Sequence, residues 1–273
     1  MPRFSVIADL CRQDGICASV CPAHVIKGPK GQTPFMRPGG ENTCIGCGHC
    51  MAFCPHGAAR IDTLPVDDMR RIARKALPDA ESAELLLASR RSIRHFKKEP
   101  VPRELLARVL ASDRFAPSAK NARPVRWVMV YEQATMRAVG DAAATWLEAM
   151  AADTSKPPLI AEARALAKAW RMGIDPLFRG APHLVLAVTR AGDAWAAIDA
   201  AVALTYLELA ALPHNIGACW AGYISTAVSH YKPLRDMLGL ADNETTSGGQ
   251  MLGFIALKPT ATAPRNPLPV EWR

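Results

Sequence analysis

The chain has 273 residues, 49% of them hydrophobic, with 33 Lys/Arg against 25 Asp/Glu. That length and apolar content exclude a disordered or fibrous polypeptide and allow one sizeable core plus a small second unit. The formal charge of +8 raises a nucleic-acid reading, but the positive residues form no polybasic tail or aromatic-interleaved stripe, so no nucleic-acid partner is expected.

The start, "MPRFSVIADLC", lacks a basic segment followed by an apolar run, and the longest apolar stretch, near 194–212, is interrupted by Asp199 and Glu208. The expectation is neither export nor membrane insertion, and a cytoplasmic location. Seven of the eight cysteines fall within residues 11–54. Without an export signal this concentration points to metal rather than to a disulfide framework.

Residues 1–63 are short segments with too few periodic apolar positions for a large core, so something other than burial must hold them. "CRQDGICASVCP" (11–22) and "CIGCGHCMAFCP" (44–55) are copies of one frame. The second places Cys44, Cys47, Cys50 and Cys54 at C-x2-C-x2-C-x3-C followed by Pro55, the run for a cubane iron–sulfur cluster. Three closely spaced thiolates on a glycine-assisted loop cover three irons of one cube, and the fourth points to a neighbouring cube. A zinc site more often pairs two separated C-x2-C knuckles. In the first copy, Cys11, Cys17, Cys21 and Pro22 keep the frame, with Asp14 in the second ligand slot. The bland alternative is a turn residue at a site without metal. Against it, Cys11, Cys17 and Cys54 would then be three free thiols with no common partner.

This region, about residues 5–62, resembles the two-cluster bacterial ferredoxins, including a variant class with aspartate at that slot. In such modules the fourth cysteine of each run serves the other cluster. The resemblance therefore implies Cys11, Asp14, Cys17 and Cys54 at one cluster, and Cys44, Cys47, Cys50 and Cys21 at the other. The all-cysteine cluster would be [4Fe-4S]. A carboxylate is the harder and more easily displaced ligand, so the Asp14 cluster is expected as [4Fe-4S] or [3Fe-4S].

Further along, "VDDMRRIARKALPD" (66–79) and "SAELLLASRR" (82–91) carry helical periodicity and predict a helical connector over 64–85. Helices are predicted at 103–112, 134–150, 159–171 and 194–213, and strands at 126–132, 183–189, 217–224 and 251–257. The proline-rich tail "KPTATAPRNPLPVEWR" predicts an extended run. "RRSIRHFKKEPVP" (90–102) is by charge alone a solvated face. It is followed by "APSAKNARPVRWVMVY" (116–131), "NIGACWAGY" (215–223) and "LGFIALKPTATAPRNP" (252–267).

Together these segments, over 87–273, resemble the nitroreductase family of FMN enzymes, with a departure at Arg123-Pro124-Val125. The resemblance implies an α+β fold over 86–273 after a ferredoxin-like two-cluster domain over 1–63, an intertwined homodimer, and FMN at the dimer interface. It assigns Arg90, Arg91, Ser92 and Arg94 to the phosphate and the ribityl or pyrimidine groups, and Ser118 and Asn121 beside the flavin from the other subunit. It further brings the Gly222 backbone to the reactive edge and Arg265, with Lys258, onto the phosphate. The flavin carries the chemistry, so no catalytic side chain is nominated. The expected activity is passage of electrons from an external low-potential donor, such as a ferredoxin or another redox protein, through two clusters to FMN and a small electrophilic acceptor. The alternative is a non-enzymatic electron carrier or redox sensor. Cys219 reads as a small buried residue, and the 133–180 segment, with Trp170 and Phe178, as a candidate lid.

Overall fold

The computed structural model describes residues 1–155 and 159–273. It divides into two compact units, Met1–Leu77 with Lys120–Ala122, and Pro78–Ala119 with Arg123–Arg273.

In the first unit the duplicated sequence becomes a duplicated structure. Strand β1 (Phe4–Val6), the one-turn helix α1 (Ile16–Ser19), β2 (Ile26–Lys27), β3 (Phe35–Met36), the one-turn helix α2 (His49–Ala52) and β4 (Ala59–Ile61) follow in order. β1 pairs antiparallel with β4, Phe4 opposite Ile61, and β2 pairs with β3. Each short helix starts from a left-handed glycine, Gly15 at φ 74° and Gly48 at φ 72°, a turn that a Cβ would disfavour. The buried cluster is Phe4, Cys17, Cys21, Val25, Ile26, Cys50, Met51, Ala59 and Ile61. One third of this core is sulfur of the two motifs.

The second unit adds α3 (Ala80–Ser89), α4 (Arg103–Leu110), β5 (Arg126–Val130), α5 (Gln133–Ala152), α6 (Ala163–Arg171), β6 (His183–Arg190), α7 (Ala196–Ala211), β7 (Ile216–Trp220), α8 (Gly222–His230), α9 (Lys232–Met237) and β8 (Glu244–Phe254). The sheet order is β5-β6-β8-β7, every neighbour antiparallel. Both faces are covered. Leu184, Leu186 and Val188 of β6 join the core under α5, α6 and α8, whereas Val185 and Ala187 join the core under α4 and α7. That alternation explains why β6 reads as a continuous apolar run.

α7 and its following turn to His214 are long and apolar enough to cross a membrane by length and composition. The composition has a local cause: Leu204, Leu207 and Ala211 pack on the sheet, and Asp199 and Glu208 are buried with named partners. His183, fully buried, ties α4's entry to the sheet. Its Nε2 accepts the Val101 N–H at 2.9 Å and its Nδ1 faces the Tyr131 carbonyl at 3.1 Å. These partners place the proton on Nδ1, and burial lowers the imidazole pKa.

Several expectations are corrected. Residues 66–79 form only a turn at Val66–Met69 and a short 3-10 turn at Arg74–Ala76. Val66, Met69, Ile72 and Leu77 are exposed, and a short helix with no surface to bury its apolar face is marginal in water. The strand over 217–224 stops at Trp220, and α8 begins at Gly222. β8 starts at Glu244, well before 251, because its polar first half still pairs with β6 through Arg190 and Glu244. In the 133–180 segment, α5 and α6 cross where a Cβ on Gly140 would come within 2.2 Å of the Trp170 ring. Trp170 and Phe178 are thus core residues, 5% and 2% exposed; residues 156–158 of the segment lie outside the described residues.

Candidate functional site

The cysteines of the first unit fall into two groups. The ionisable neighbours of Cys17 are Asp14, Cys54 and Cys11; those of Cys50 are Cys47, Cys44 and Cys21. Burial raises both thiol pKa values, that of Cys50 to about 12. So apolar a pocket suits a thiolate whose charge a metal compensates. A small cavity is lined by Cys21, Cys44, Cys47 and Cys50 together with Val25 and Ile61. Among the described residues no three His, Cys, Asp or Glu side chains converge on one ion position. Two separate groups of soft donors fit polynuclear clusters, whose ligands sit on separate irons, better than a single zinc.

Asp14 has a local partner too. Its Oδ1 accepts the Ile16 N–H at 3.1 Å at the start of α1, and its Oδ2 lies 4.0 Å from His56 Nε2. The Ala58 N–H donates to Cys54 Sγ at 3.2 Å. Asn121, expected beside a flavin, donates from Nδ2 to the carbonyls of Ile45 at 3.0 Å and Gly46 at 3.2 Å, in the loop between Cys44 and Cys47.

In the second unit, residues 93–97 form a strap on the β7–β8 edge. The Ile93 N–H donates to Ala218 O, the Lys97 N–H to Phe254 O, and Phe96 bridges Ile255. Glycines in the sheet admit it: a Cβ on Gly217 would come within 2.7 Å of Ile93, and one on Gly253 within 3.0 Å of Phe96. Arg90, just before the strap, donates from Nη1 to Glu208 Oε1 at 2.9 Å, with Glu208 5% exposed. Arg94 and Glu208 are also electrostatic neighbours of the buried Cys219, whose pKa is raised mainly by burial. Arg91 and Ser92 are half-buried beside them.

Ser118 Oγ accepts the Arg123 N–H at 2.9 Å, and the Ala119 N–H is held by the Asp199 carboxylate at 3.0 Å. Lys120, Asn121 and Arg123 all take positive φ, a strained loop of the kind found where function dictates backbone. Gly222 is exposed at the start of α8, with open space where a Cβ would lie. Lys258 and Arg265 are exposed on the tail, and among the described residues no interaction ties either to the strap; Arg265 Nη1 donates to Pro264 O.

Two residues of this corner escaped the sequence motifs. Glu208 had a usable signal, since a carboxylate inside an apolar helix must find a partner. Arg179, a further electrostatic neighbour of Cys219, had none beyond its place before Gly180. Replacing Arg90 with Ala leaves Glu208 buried and unpaired, a loss of about 3 kcal/mol, at the low end because Arg90 is about one-third exposed. Burial raises the Glu208 pKa and Arg90 lowers it. A raised carboxyl pKa gives stability that is full below the unfolded value, about 4.3, and is lost as pH rises. The deficit of Arg90→Ala should therefore be larger at about pH 8 than at about pH 5.5, read from the unfolding midpoint of the second unit.

Residues 87–254 match the family model described as "Nitroreductase family", and residues 10–59 match "4Fe-4S dicluster domain". The chain is 48% identical over 65 residues to an NADH dehydrogenase of Thermus thermophilus, covering 24% of this chain and 30% of that protein. It is 39% identical over 75 residues to the electron transport protein HydN of Escherichia coli, covering 24% and 41%. The chain thus spans well under half the length of these curated relatives. A Bacteroides fragilis nitroreductase crystallised with bound FMN superposes at TM-score 0.56 and 22% identity, covering 68% of this chain and 97% of that one, a likeness of fold.

Proposed function

The chain belongs to the nitroreductase family, and from that premise we propose that it is an iron–sulfur flavoprotein oxidoreductase that carries electrons from a low-potential donor through two clusters to FMN and on to a small electrophilic acceptor such as a nitroaromatic or a quinone. The observation that carries the reading is the pairing, in one chain, of a dicluster domain over 10–59 with a nitroreductase domain over 87–254. Bound FMN supplies exchange of electrons singly or in pairs.

The chain's own residues supply position and charge. Cys11, Asp14, Cys17 and Cys54 hold one cluster and Cys44, Cys47, Cys50 and Cys21 the other, a crossed assignment supported by the neighbours of Cys17 and Cys50. Arg90, Arg91, Ser92 and Arg94, presented by the strap, bind the phosphate and ribityl or pyrimidine groups, and the exposed start of α8 at Gly222 offers unpaired N–H groups to the ring edge. Ser118 lies beside the flavin of a second copy in a homodimer. Lys258 and Arg265 close on the phosphate from the tail. Asn121 also belongs to that set, but must then exchange the Ile45 and Gly46 carbonyls for the flavin.

Anaerobic reconstitution should yield two clusters and one FMN per chain. On stopped-flow mixing with a reduced ferredoxin the clusters should bleach before the flavin, and a nitroaromatic or quinone should then reoxidise both. Rapid flavin reduction by NADH or NADPH in iron-free protein overturns the proposed path.

A further inference from the structure

We propose that His56 is a positioning residue of the first cluster, its imidazole N–H holding the Asp14 carboxylate on iron; the inference rests on the reading of Cys11, Asp14, Cys17 and Cys54 as the ligands of one cluster. The duplicated frame brings the pair to light. Asp14 stands where the second copy has Cys47, and His56, two residues after Cys54, stands where the first copy has Ala23, two residues after Cys21. Ala23 and Cys47 line one cavity. His56 and Asp14 meet at the corresponding corner of the other cysteine group, with Nε2 4.0 Å from Oδ2. A thiolate meets its iron with a single atom, whereas a carboxylate brings a second oxygen, and the donors around a ligating carboxylate set its orientation and its hold on the metal. Alanine accompanies the cysteine and histidine accompanies the aspartate, as that difference requires.

The turn that carries His56 is firmly built. The Gly57 N–H donates to Cys54 O at 3.1 Å with Gly57 at φ 62°, the Ala58 N–H donates to Cys54 Sγ at 3.2 Å, and Arg60 Nη1 donates to Gly57 O at 2.6 Å. One turn thus presents a cluster ligand and, two residues on, the imidazole. Among the described residues His56 has no side-chain partner other than Asp14. On the other side, Asp14 Oδ1 accepts the Ile16 N–H at 3.1 Å, so the carboxylate lies between a backbone amide and an imidazole. The 4.0 Å separation exceeds a hydrogen bond by about 1 Å. Rotation of the two partly exposed side chains, 43% and 31% accessible, closes it. Each carboxylate oxygen has two lone pairs, so both donors can be satisfied while one oxygen still binds iron.

The role is read from the affinity of the three-iron form for ferrous ion, titrated anaerobically and followed by EPR, with the all-cysteine cluster of the same chain as the control for folding. His56→Ala should weaken that affinity by about tenfold or more, and His56→Gln, whose amide N–H replaces that of the imidazole, should recover part of it. In an Asp14→Cys background the same His56→Ala change should have no effect, because no carboxylate remains to be held. An equal loss in that background assigns His56 to the turn alone, and an unchanged affinity in the protein with Asp14 removes it from the site; either result overturns the proposal. So does a nitrogen hyperfine coupling to the first cluster in protein labelled with 15N-histidine, if His56→Ala abolishes it, since His56 is then itself a ligand. A wild-type chain that reconstitutes only the all-cysteine cluster overturns the reading of the first site instead, which keeps the two failures apart.

Discussion

Stripping iron from the intact protein with a chelator should unfold residues 1–63 and leave the second unit folded. The first unit buries nine residues in its cluster, three of them cysteines of the two motifs, and its strands are only two or three residues long. A core that small does not offset chain entropy unaided, so the metal–thiolate bonds act as folding free energy. The second unit has two large apolar clusters on a four-stranded sheet and needs no metal to hold it. Hydrogen exchange reads the difference: amide protection in β1, β4 and around α1 and α2 collapses on chelation, whereas β6 and β8 keep theirs. A first unit that stays protected without iron would show that its apolar core suffices.

Replacing Asp14 with Cys should make the first cluster resist loss of one iron on mild oxidation and leave the second unchanged. A thiolate binds that iron more tightly than a carboxylate. The variant also gives up the bond from the Ile16 N–H to Oδ1, at a cost of about 1 kcal/mol for a lost helix-start acceptor. Asp14→Asn separates the two roles, since the amide oxygen keeps the turn but ligates iron poorly. The Asn variant should be confined to a three-iron first cluster, seen as its EPR signal, while the Cys variant holds four irons. Identical iron content and EPR spectra in all three proteins would assign Asp14 to the turn alone.

The duplicated cysteine frame was legible because ligand spacing is written locally, and the same holds for β5, β6 and the long helices, whose period survives in a short window. What escaped depended on distant partners. Residues 66–79 have helical spacing but no surface to pack on. The stretch after Trp220 contains β-favouring Tyr223 and Ile224 yet turns into α8, because Ala221 is fixed by its N–H to Gly249 O. Arg179 carries no motif: its nearness to Cys219, forty positions away, is a product of the fold.

The glycines beneath the strap limit how this architecture can diversify. Gly217 and Gly253 each lie so close to a neighbour that a Cβ would come within 2.7 Å of it or less, so the sheet side is closed to variation. Sequence change in the strap is channelled into its exposed positions, such as Arg94 and His95. Those positions can be varied without disturbing the scaffold beneath them.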